Sequence, residues 1–325
     1  MTASEFTIQV GDQFDRYQIT SYLARGGMSD IYRAYDLVGR REVVIKVPDR
    51  NLIADPAQYE RFQRELEVLK ILDHPAILKG LGSGLHNRVP YLVTDFIDGT
   101  SLRSLLADAP FPVERAIALV KKIAAGLESC HTAGIIHRDL KPENILVSED
   151  DQPVIMDFGL ALTKNAHRVT YSNLTSAMGT PDYMAPEQIE GGRGDARTDI
   201  YALGTIFFEM LAGRLPFDGE SPMAVLHQHL HANAPRLDSL NPNVSPQLAA
   251  LVAKCMARNP AQRYADIPSL LAALANPDQA DLSFLQVEPA PRASQEIFQS
   301  LKYVAMALVI LLLVVLLAIA LQALR

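Results

Sequence analysis

The hydrophobic pattern of this chain changes from strand spacing to helix spacing near Asp98. Between Tyr17 and Val47, short runs of β-branched and aromatic residues alternate with glycine-containing turns, which predicts an antiparallel meander. Helical spacing interrupts it at 57–72, and strand patterns return between Ile77 and Ile97. From there to Ala275 the spacing is mainly helical. We therefore predict an α+β protein with a small β-rich lobe that contains one helix, and a larger α-helical lobe.

Composition excludes several classes of protein. With 49% hydrophobic and 21% charged residues, the chain can bury a sizeable core, so wholesale disorder is excluded. The formal net charge of -7 provides no broad basic surface, and we expect no nucleic-acid partner. Cys130 and Cys255 each lie in an apolar, helix-like segment and lack the close spacing of a metal or redox pair. We expect two buried thiols in a reducing compartment.

The last part of the chain is strongly apolar. Tyr303 to Leu321 contains no charged residue and no proline. About 20 such residues in a helix span the roughly 30 Å hydrocarbon layer of a membrane. A transmembrane helix is therefore predicted at 303–324, between the charged residues Lys302 and Arg325. A buried core helix is the alternative interpretation.

The flanking segments complete the predicted organisation. Residues 1–16 contain neither a basic start nor a continuous apolar core, so they are interpreted as an N-terminal tail without a secretory signal. Residues 276–302 are rich in Asp, Gln and Pro and are predicted to be a juxtamembrane linker. We expect a single-pass membrane protein whose folded lobes face the cytoplasm.

A glycine-containing turn lies between the first predicted strands. Gly26 and Gly27 have no side chains to block a ligand, so the backbone amides of this turn could lie over phosphate groups, although a plain hairpin is equally compatible with it. Lys46 follows on a strand otherwise made of Val and Ile, where a cation requires a charged partner. Glu65, on the predicted helix, is the carboxylate that we assign to it.

A second pattern is more specific. The segment His137-Arg138-Asp139-Leu140-Lys141-Pro142-Glu143-Asn144 precedes a predicted strand, and Asp157-Phe158-Gly159 follows another. Asp139 can accept a proton from an attacking hydroxyl, and Lys141 can neutralise charge on a transferred phosphoryl group. Asn144 and Asp157 offer the oxygen ligands that Mg²⁺ prefers. The alternative, polar turns that only cap helices, does not explain the whole set.

Together these motifs resemble the signature set of the eukaryotic-type protein kinases, over residues 17–275. The turn Gly26-Gly27-Met28-Ser29 and the apolar C-terminal segment are most similar to the bacterial, membrane-attached branch. The segments 137–144 and 179–187 resemble those of Ser/Thr rather than Tyr kinases. The resemblance implies a bilobal fold, transfer of phosphate from ATP to protein Ser or Thr in signalling at a bacterial inner membrane, and Mg²⁺, or Mn²⁺ in its place.

The resemblance also divides the chain and assigns its residues. It implies an N-lobe at 17–93, a hinge at 94–98 with Thr94 as gatekeeper, and a C-lobe at 99–275. The residues implied to contact nucleotide are Leu23, Ala24, Arg25, Gly26, Gly27, Met28, Ser29, Asp30, Ile31, Lys46, Glu65, Asp95 and Ile97. Asp139 and Lys141 are implied to be catalytic, and Asn144 and Asp157 to bind the metal. Ala24 and Ser29 replace the first and third glycines of the usual phosphate loop.

Further expectations concern the segment between Asp157 and Glu187. The resemblance implies an ion pair between Glu187 and Arg263 and a contact of Thr180 with Asp139 and Lys141. The segment contains several hydroxyls that could be autophosphorylated: Thr163, Thr170, Tyr171, Ser172, Thr175 and Ser176.

Two alternative functions stay open. The chain could be a pseudokinase that binds ATP as a membrane scaffold, or a small-molecule kinase, although the Ala-Pro-Glu sequence at 185–187 is typical of a platform for protein substrates. A homodimer is also open. His227, His229 and His231 would share one face of a strand and could bind a metal there, but their helical context makes such spacing diverge.

Overall fold

The computed structural model describes residues 8–25, 29–48, 56–87, 89–159, 161 and 181–286. The first lobe is a six-stranded antiparallel sheet with one helix. Its elements are β1 (Gln13–Phe14), β2 (Tyr17–Arg25), β3 (Ser29–Asp36), β4 (Arg41–Pro48), α1 (Pro56–Ile71), β5 (Gly80–His86) and β6 (Val89–Asp95). The strand order in the sheet is β1-β2-β3-β4-β6-β5. In the sequence, α1 lies between β4 and β5. The predicted meander with one inserted helix is confirmed.

Alternation along β4 determines which of its side chains enter the core. Val43 and Ile45 are fully buried in the core between the strands, whereas Val44 and Lys46 lie on the opposite face. On α1, Phe62, Leu66 and Leu69 form the predicted apolar stripe and are buried. Burial of this stripe holds the helix against the sheet and fixes the orientation of Glu65.

Side chains join the two ends of the sheet. Asp15, in the turn after β1, lies 2.7 Å from Nδ1 of His86 on β5 and accepts a 2.6 Å hydrogen bond from the Tyr91 hydroxyl on β6. Phe14 stacks on the His86 ring at 4.1 Å and is buried in the core. Side chains therefore connect the two edges of the sheet, and the end of the segment predicted to be a tail belongs to the lobe.

The second lobe is mainly helical. It contains a three-stranded sheet of β7 (Thr100–Ser101), β8 (Ile145–Val147) and β9 (Pro153–Ile155). Its helices are α2 (Leu102–Leu105), α3 (Val113–Thr132), α4 (Pro186–Ile189), α5 (Ala196–Ala212), α6 (Pro222–His231), α7 (Leu237–Leu240), α8 (Pro246–Cys255) and α9 (Ile267–Ala275).

Helix α5 is the centre of this lobe. It begins where the Asp195 side chain accepts from the amide of Arg197, and it ends at Gly213, whose φ of 68° suits a residue without a side chain. Nearly every residue of α5 is buried, including Tyr201, Phe207 and Phe208. A helix that is apolar on all sides must be enclosed by its neighbours, and α3 and α8 pack against it.

The predicted bilobal α+β architecture is confirmed. Both cysteines are buried and free, as predicted, and burial raises the pKa of each thiol. Of the residues described, none belongs to a helix with the length and apolarity that crossing a membrane requires. The span predicted at 303–324 lies outside the described residues.

The C-terminal limit of the lobe differs from the predicted one. Residues Pro277–Gln279 and Leu282–Leu285, placed in the predicted linker, form 3-10 turns. Leu285 is only 7% exposed, and the Phe284 ring lies 5.6 Å from the ammonium of Lys254 on α8. Periodicity did not reveal this extension because isolated apolar residues between polar ones carry no repeating signal.

Candidate active site

The candidate site lies where the two lobes meet, beside the strand ends and loops that carry the predicted residues. Strand β6 ends at Asp95, and residues 96–99 continue into β7 of the second lobe. Thr94, the predicted gatekeeper, is buried and lies opposite Val44 of β4. Asp95 and Ile97 are partly buried at the junction. The connection between the lobes is thus residues 96–99, which overlap the predicted hinge at 94–98; Thr94 and Asp95 are the last residues of β6.

The predicted phosphate loop joins β2 to β3. Leu23, Ala24 and Arg25 end β2, and Ser29, Asp30 and Ile31 begin β3, with Ala24 opposite Ile31 and Arg25 opposite Asp30. These six residues form the base of a hairpin. The predicted tip, Gly26, Gly27 and Met28, lies outside the described residues.

Lys46 and Glu65 form the predicted ion pair. Nζ of Lys46 lies 2.7 Å from a carboxylate oxygen of Glu65, and both side chains are largely withdrawn from solvent. Burial opposes the charge of Lys46, but the carboxylates of Glu65 and Asp157 outweigh it and raise its pKa. Lys46 is therefore a fixed cation in the cleft, suited to bind phosphate oxygens.

Asp139, Lys141 and Asn144 form a compact group. Lys141 donates to a carboxylate oxygen of Asp139 at 2.9 Å. The Asn144 amide donates to the backbone carbonyl of Asp139 at 2.8 Å and to its carboxylate at 3.2 Å. Burial opposes the charge of Lys141, but Asp139 and the more distant Asp157 and Glu143 raise its pKa. The carboxylate of Asp139 is thus oriented from two sides and can accept a proton.

Asp157 approaches this group from the next strand. Its backbone has φ 60°, and the amide of Met156 donates to the carbonyl of Asn144 at 2.8 Å, which brings the two predicted metal ligands together. Burial opposes ionisation, but the charges of Lys46 and His137 hold the pKa of Asp157 below its usual value. An ionised carboxylate and an amide oxygen fit a magnesium ion that phosphates and water also coordinate.

The carboxylate of Asp199 on α5 holds the loop that carries Asp139. It accepts from the backbone amides of His137 at 2.9 Å and Arg138 at 2.8 Å, and Nε2 of His131 lies 2.7 Å from it. Arg138 has φ 67°, a conformation that these bonds stabilise. Burial opposes ionisation, but the His131 contact and these amides hold the pKa of Asp199 low.

The sequence analysis assigned no role to Asp199 or to His137. His137 is fully buried, its Nε2 lies 3.0 Å from the carbonyl of Met156, and its ring meets that of Phe158 edge-on at 4.8 Å. Asp199 could have been found as an ionisable residue at the start of a largely apolar segment, because a buried carboxylate needs hydrogen-bond donors.

Comparison with known proteins agrees with this geometry. The sequence model of the protein kinase domain family matches residues 17–274 of this chain. The chain belongs to the protein kinase family. It is 37% identical over 283 residues to the serine/threonine-protein kinase PknL of Mycobacterium tuberculosis, a match that covers 86% of this chain and 70% of PknL. It is 38% identical over 257 residues to PknB of Mycolicibacterium smegmatis, across 77% of this chain and 41% of PknB.

A solved structure shows the same fold. The kinase domain of Mycobacterium tuberculosis PknI superposes with a TM-score of 0.65 at 26% identity, over 83% of this chain and 99% of the PknI chain. The chain is thus a serine/threonine protein kinase of the bacterial eukaryotic-like type, as its sequence predicted.

A second ion-pair network lies beside the loop of this kinase that carries Asp139. Arg103 on α2 donates to Glu143 at 2.8 Å and to Glu209 of α5 at 2.8 Å, and it also contacts the Tyr183 hydroxyl. Tyr183 in turn donates to Glu209. Arg103 therefore joins the loop that carries Asp139, the central helix and the segment before α4.

The predicted pair between Glu187 and Arg263 is confirmed. The two side chains meet through two hydrogen bonds of 2.8 and 2.7 Å, and Thr198 adds a third to Glu187 at 2.9 Å. Arg263 also donates to the backbone carbonyls of Arg197, Ala257 and Arg258. This buried cation thus ties α4 to the loop before α9.

The three histidines of α6 do not converge. His229 turns into the core, where Nδ1 lies 2.7 Å from the Tyr201 hydroxyl, and burial lowers its pKa to about 4. The rings of His227 and His231 lie 4.5 Å apart on another side of the helix. In the part of the kinase that the structure describes, no cluster of three His, Cys, Asp or Glu side chains suits a metal ion.

The remaining predicted residues lie in the segment between β9 and α4. Thr180 and the candidate phosphorylation sites Thr163, Thr170, Tyr171, Ser172, Thr175 and Ser176 fall outside the described residues. Their predicted roles stay predictions.

Proposed function

We propose that this kinase transfers the γ-phosphoryl group of ATP to Ser and Thr hydroxyls of proteins, in the presence of Mg²⁺. The observation that carries the proposal is the convergence of Lys46, Asp139, Lys141, Asn144 and Asp157 at one cleft, with Lys46 already paired to Glu65 at 2.7 Å. A scaffold that only bound nucleotide would not need the oriented Asp139 and Lys141.

Each residue has a part in the proposed reaction. Lys46 binds phosphate oxygens of ATP, and Glu65 keeps its ammonium in place. Asp139 accepts the proton of the attacking hydroxyl, while Lys141 stabilises negative charge that develops on the transferred group. Asn144 and Asp157 would hold Mg²⁺, which neutralises charge on the phosphates when bound.

The proposal is tested by two substitutions in purified protein. Asp139→Asn removes the proton acceptor, and Lys46→Met removes the phosphate ligand, so each should lower transfer of labelled phosphate to a generic protein substrate by about 100-fold or more. Asp73→Asn and Lys79→Met change the same residue types at exposed positions and should leave transfer unchanged. Equal turnover by folded Asp139→Asn protein would refute the assignment. Wild-type protein that binds ATP but transfers no phosphate would be the scaffold instead.

We further propose that the kinase autophosphorylates between Asp157 and Glu187. The support is Arg138, which directly precedes Asp139 and whose backbone amide donates to Asp199; its guanidinium is the group that would bind a phosphorylated hydroxyl. Thr170 and Thr175 are the candidates, by position. Mass spectrometry of active protein should find phosphate in this segment. Full activity in an unmodified segment would contradict the hypothesis.

The third part of the proposal is attachment to a bacterial inner membrane through residues 303–324, with the lobes in the cytoplasm. The apolar length of the segment and the cytoplasmic location of ATP support it. Fractionation of cells should find the full chain with membranes and a chain shortened before this segment in the soluble fraction. Protease added outside intact cells should leave the kinase domain whole, and its digestion would contradict the orientation.

A further inference from the structure

Two arginines of the first lobe contact the connection between the lobes. The guanidinium of Arg33, on β3, lies over the ring of Phe96 with 4.1 Å between the Cζ atom and the ring centroid. Arg41, on β4, lies 3.4 Å from the carboxylate of Asp95. Two successive hinge residues are therefore each held by a cation from the sheet.

The register of the strands places Arg33 on the face that forms the nucleotide cleft. Ile31 lies opposite Lys46, and Arg33 lies opposite Val44, which in turn faces Thr94. Residues two apart on a strand share a face, so Arg33 projects on the same side of the sheet as Lys46. Arg33 thus reaches the hinge from the side on which ATP would bind.

The contacts of Arg33 explain its orientation. Its Nη2 donates to Glu42 at 2.6 Å. Glu42, and to a smaller extent Asp98, raises the pKa of the Arg33 guanidinium. Its Nε is buried and has no hydrogen-bond partner among the described residues, and the Phe96 ring is the group that lies against the guanidinium. Glu42 therefore fixes the guanidinium by a hydrogen bond, and the Phe96 ring packs against it.

We propose that Arg33 is a positioning residue for nucleotide binding, because its stacking on Phe96 holds the hinge backbone at Asp95 to Ile97 in the place where adenine would bind. The inference rests on the proposed use of ATP. Arg33 touches none of the catalytic groups, so it acts on affinity for the nucleotide and not on the transfer step.

The expected effect is a change in KM for ATP at constant kcat. Arg33→Gln removes the guanidinium and its charge but keeps a polar side chain, and Phe96→Leu removes the ring. An exposed cation–π contact corresponds to about a two- to fivefold change in affinity, so each variant should raise KM for ATP by that factor. The KM for ATP of the double variant should be no higher than that of either single variant, since both substitutions remove the same contact.

The experiment measures kcat, KM for ATP and KM for a protein substrate, together with the Kd for ADP by titration calorimetry. Arg16→Gln serves as the matched control, because Arg16 is an exposed arginine of the same lobe that pairs with Asp36 and not with the hinge. It should match wild type. Thermal melts of all variants confirm that they are folded. If Arg33→Gln does not fold, the KM and Kd of Phe96→Leu alone test the proposal.

Unchanged KM and Kd in both single variants, strictly additive effects in the double variant, or a loss confined to kcat would each overturn the proposal. The Kd for ADP is read without turnover. A wild-type protein that binds ADP but transfers no phosphate would therefore contradict the proposed function while leaving the role of Arg33 testable.

Discussion

A chain that ends at Gln286 should be more stable than one that ends at Ala275. The shorter chain has the length that the sequence pattern predicted for the C-lobe. The longer one retains the turns Pro277–Gln279 and Leu282–Leu285, which pack on α8. The comparison isolates the contribution of this C-terminal extension to the fold.

The magnitude follows from two contacts. Leu285 is 7% exposed, and burying a leucine side chain contributes about 1.5–3 kcal/mol. Phe284 adds a cation–π contact with Lys254, at about 0.5 kcal/mol for an exposed pair. The conformational entropy lost on ordering the extra residues, about 1–2 kcal/mol each, opposes this sum, while the hydrogen bonds within both turns and the other contacts of the extension with α8 oppose that loss in turn. We expect a free energy of unfolding about 2 kcal/mol lower for the shorter chain, which corresponds to about 4–8 °C in Tm for a domain of this size.

Thermal and urea unfolding of both chains test the expectation. Within the longer chain, Leu285→Ala should reproduce most of the loss, while Leu282→Ala, at a side chain that is 47% exposed, should cost little. Equal stability of the two chains, or equal effects of the two alanine variants, would show that the extension does not belong to the folded lobe.

Two other predictions concern buried charges. Burial raises the pKa of Asp182 to about 6, so the native state binds this proton more tightly than the unfolded chain, and ionisation costs stability that returns as pH falls. Asp182→Asn should therefore be more stable than wild type at pH 7.5 by about 1 kcal/mol, with the gap narrowing as pH falls below about 6 and closing by about pH 4 in paired urea titrations; a constant gap would refute the reasoning. Arg263→Gln leaves Glu187 buried without its cation and should cost about 3–5 kcal/mol in the free energy of unfolding, whereas Arg236→Gln, at an exposed pair with Asp238, should cost under about 1 kcal/mol in the same assay.

The sequence predicted the parts of this kinase that depend on local pattern. Strand and helix spacing identified the two lobes, because burial of one face of each element leaves a period in the sequence. The pairing of Lys46 with Glu65 was predicted because a lysine on an apolar strand needs an anion, and the structure confirms it at 2.7 Å. The resemblance to protein kinases supplied the pair between Glu187 and Arg263.

Contacts between residues far apart in sequence could not be predicted in this way. Arg103 reaches Glu209 across 106 positions, and Asp199 accepts from amides 61 and 62 positions away. Neither arrangement produces a periodic pattern in the sequence, since the packing of α5 is what brings the partners together. Leu285 was missed for the same reason.

The side-chain contacts between the two edges of the first lobe's sheet have a mechanical consequence. Strand β1 continues through Asp15 into β2, whose far end is Arg25, the last described residue before the predicted phosphate loop. Tension applied ahead of Gln13 would load the backbone hydrogen bond between Gly11 and Ile19, the β1–β2 pairs and the contacts of Asp15 with His86 and Tyr91 before it reached the ladder between β2 and β3. These contacts therefore protect the end of β2 that leads into the predicted phosphate loop from a force applied at the N-terminus.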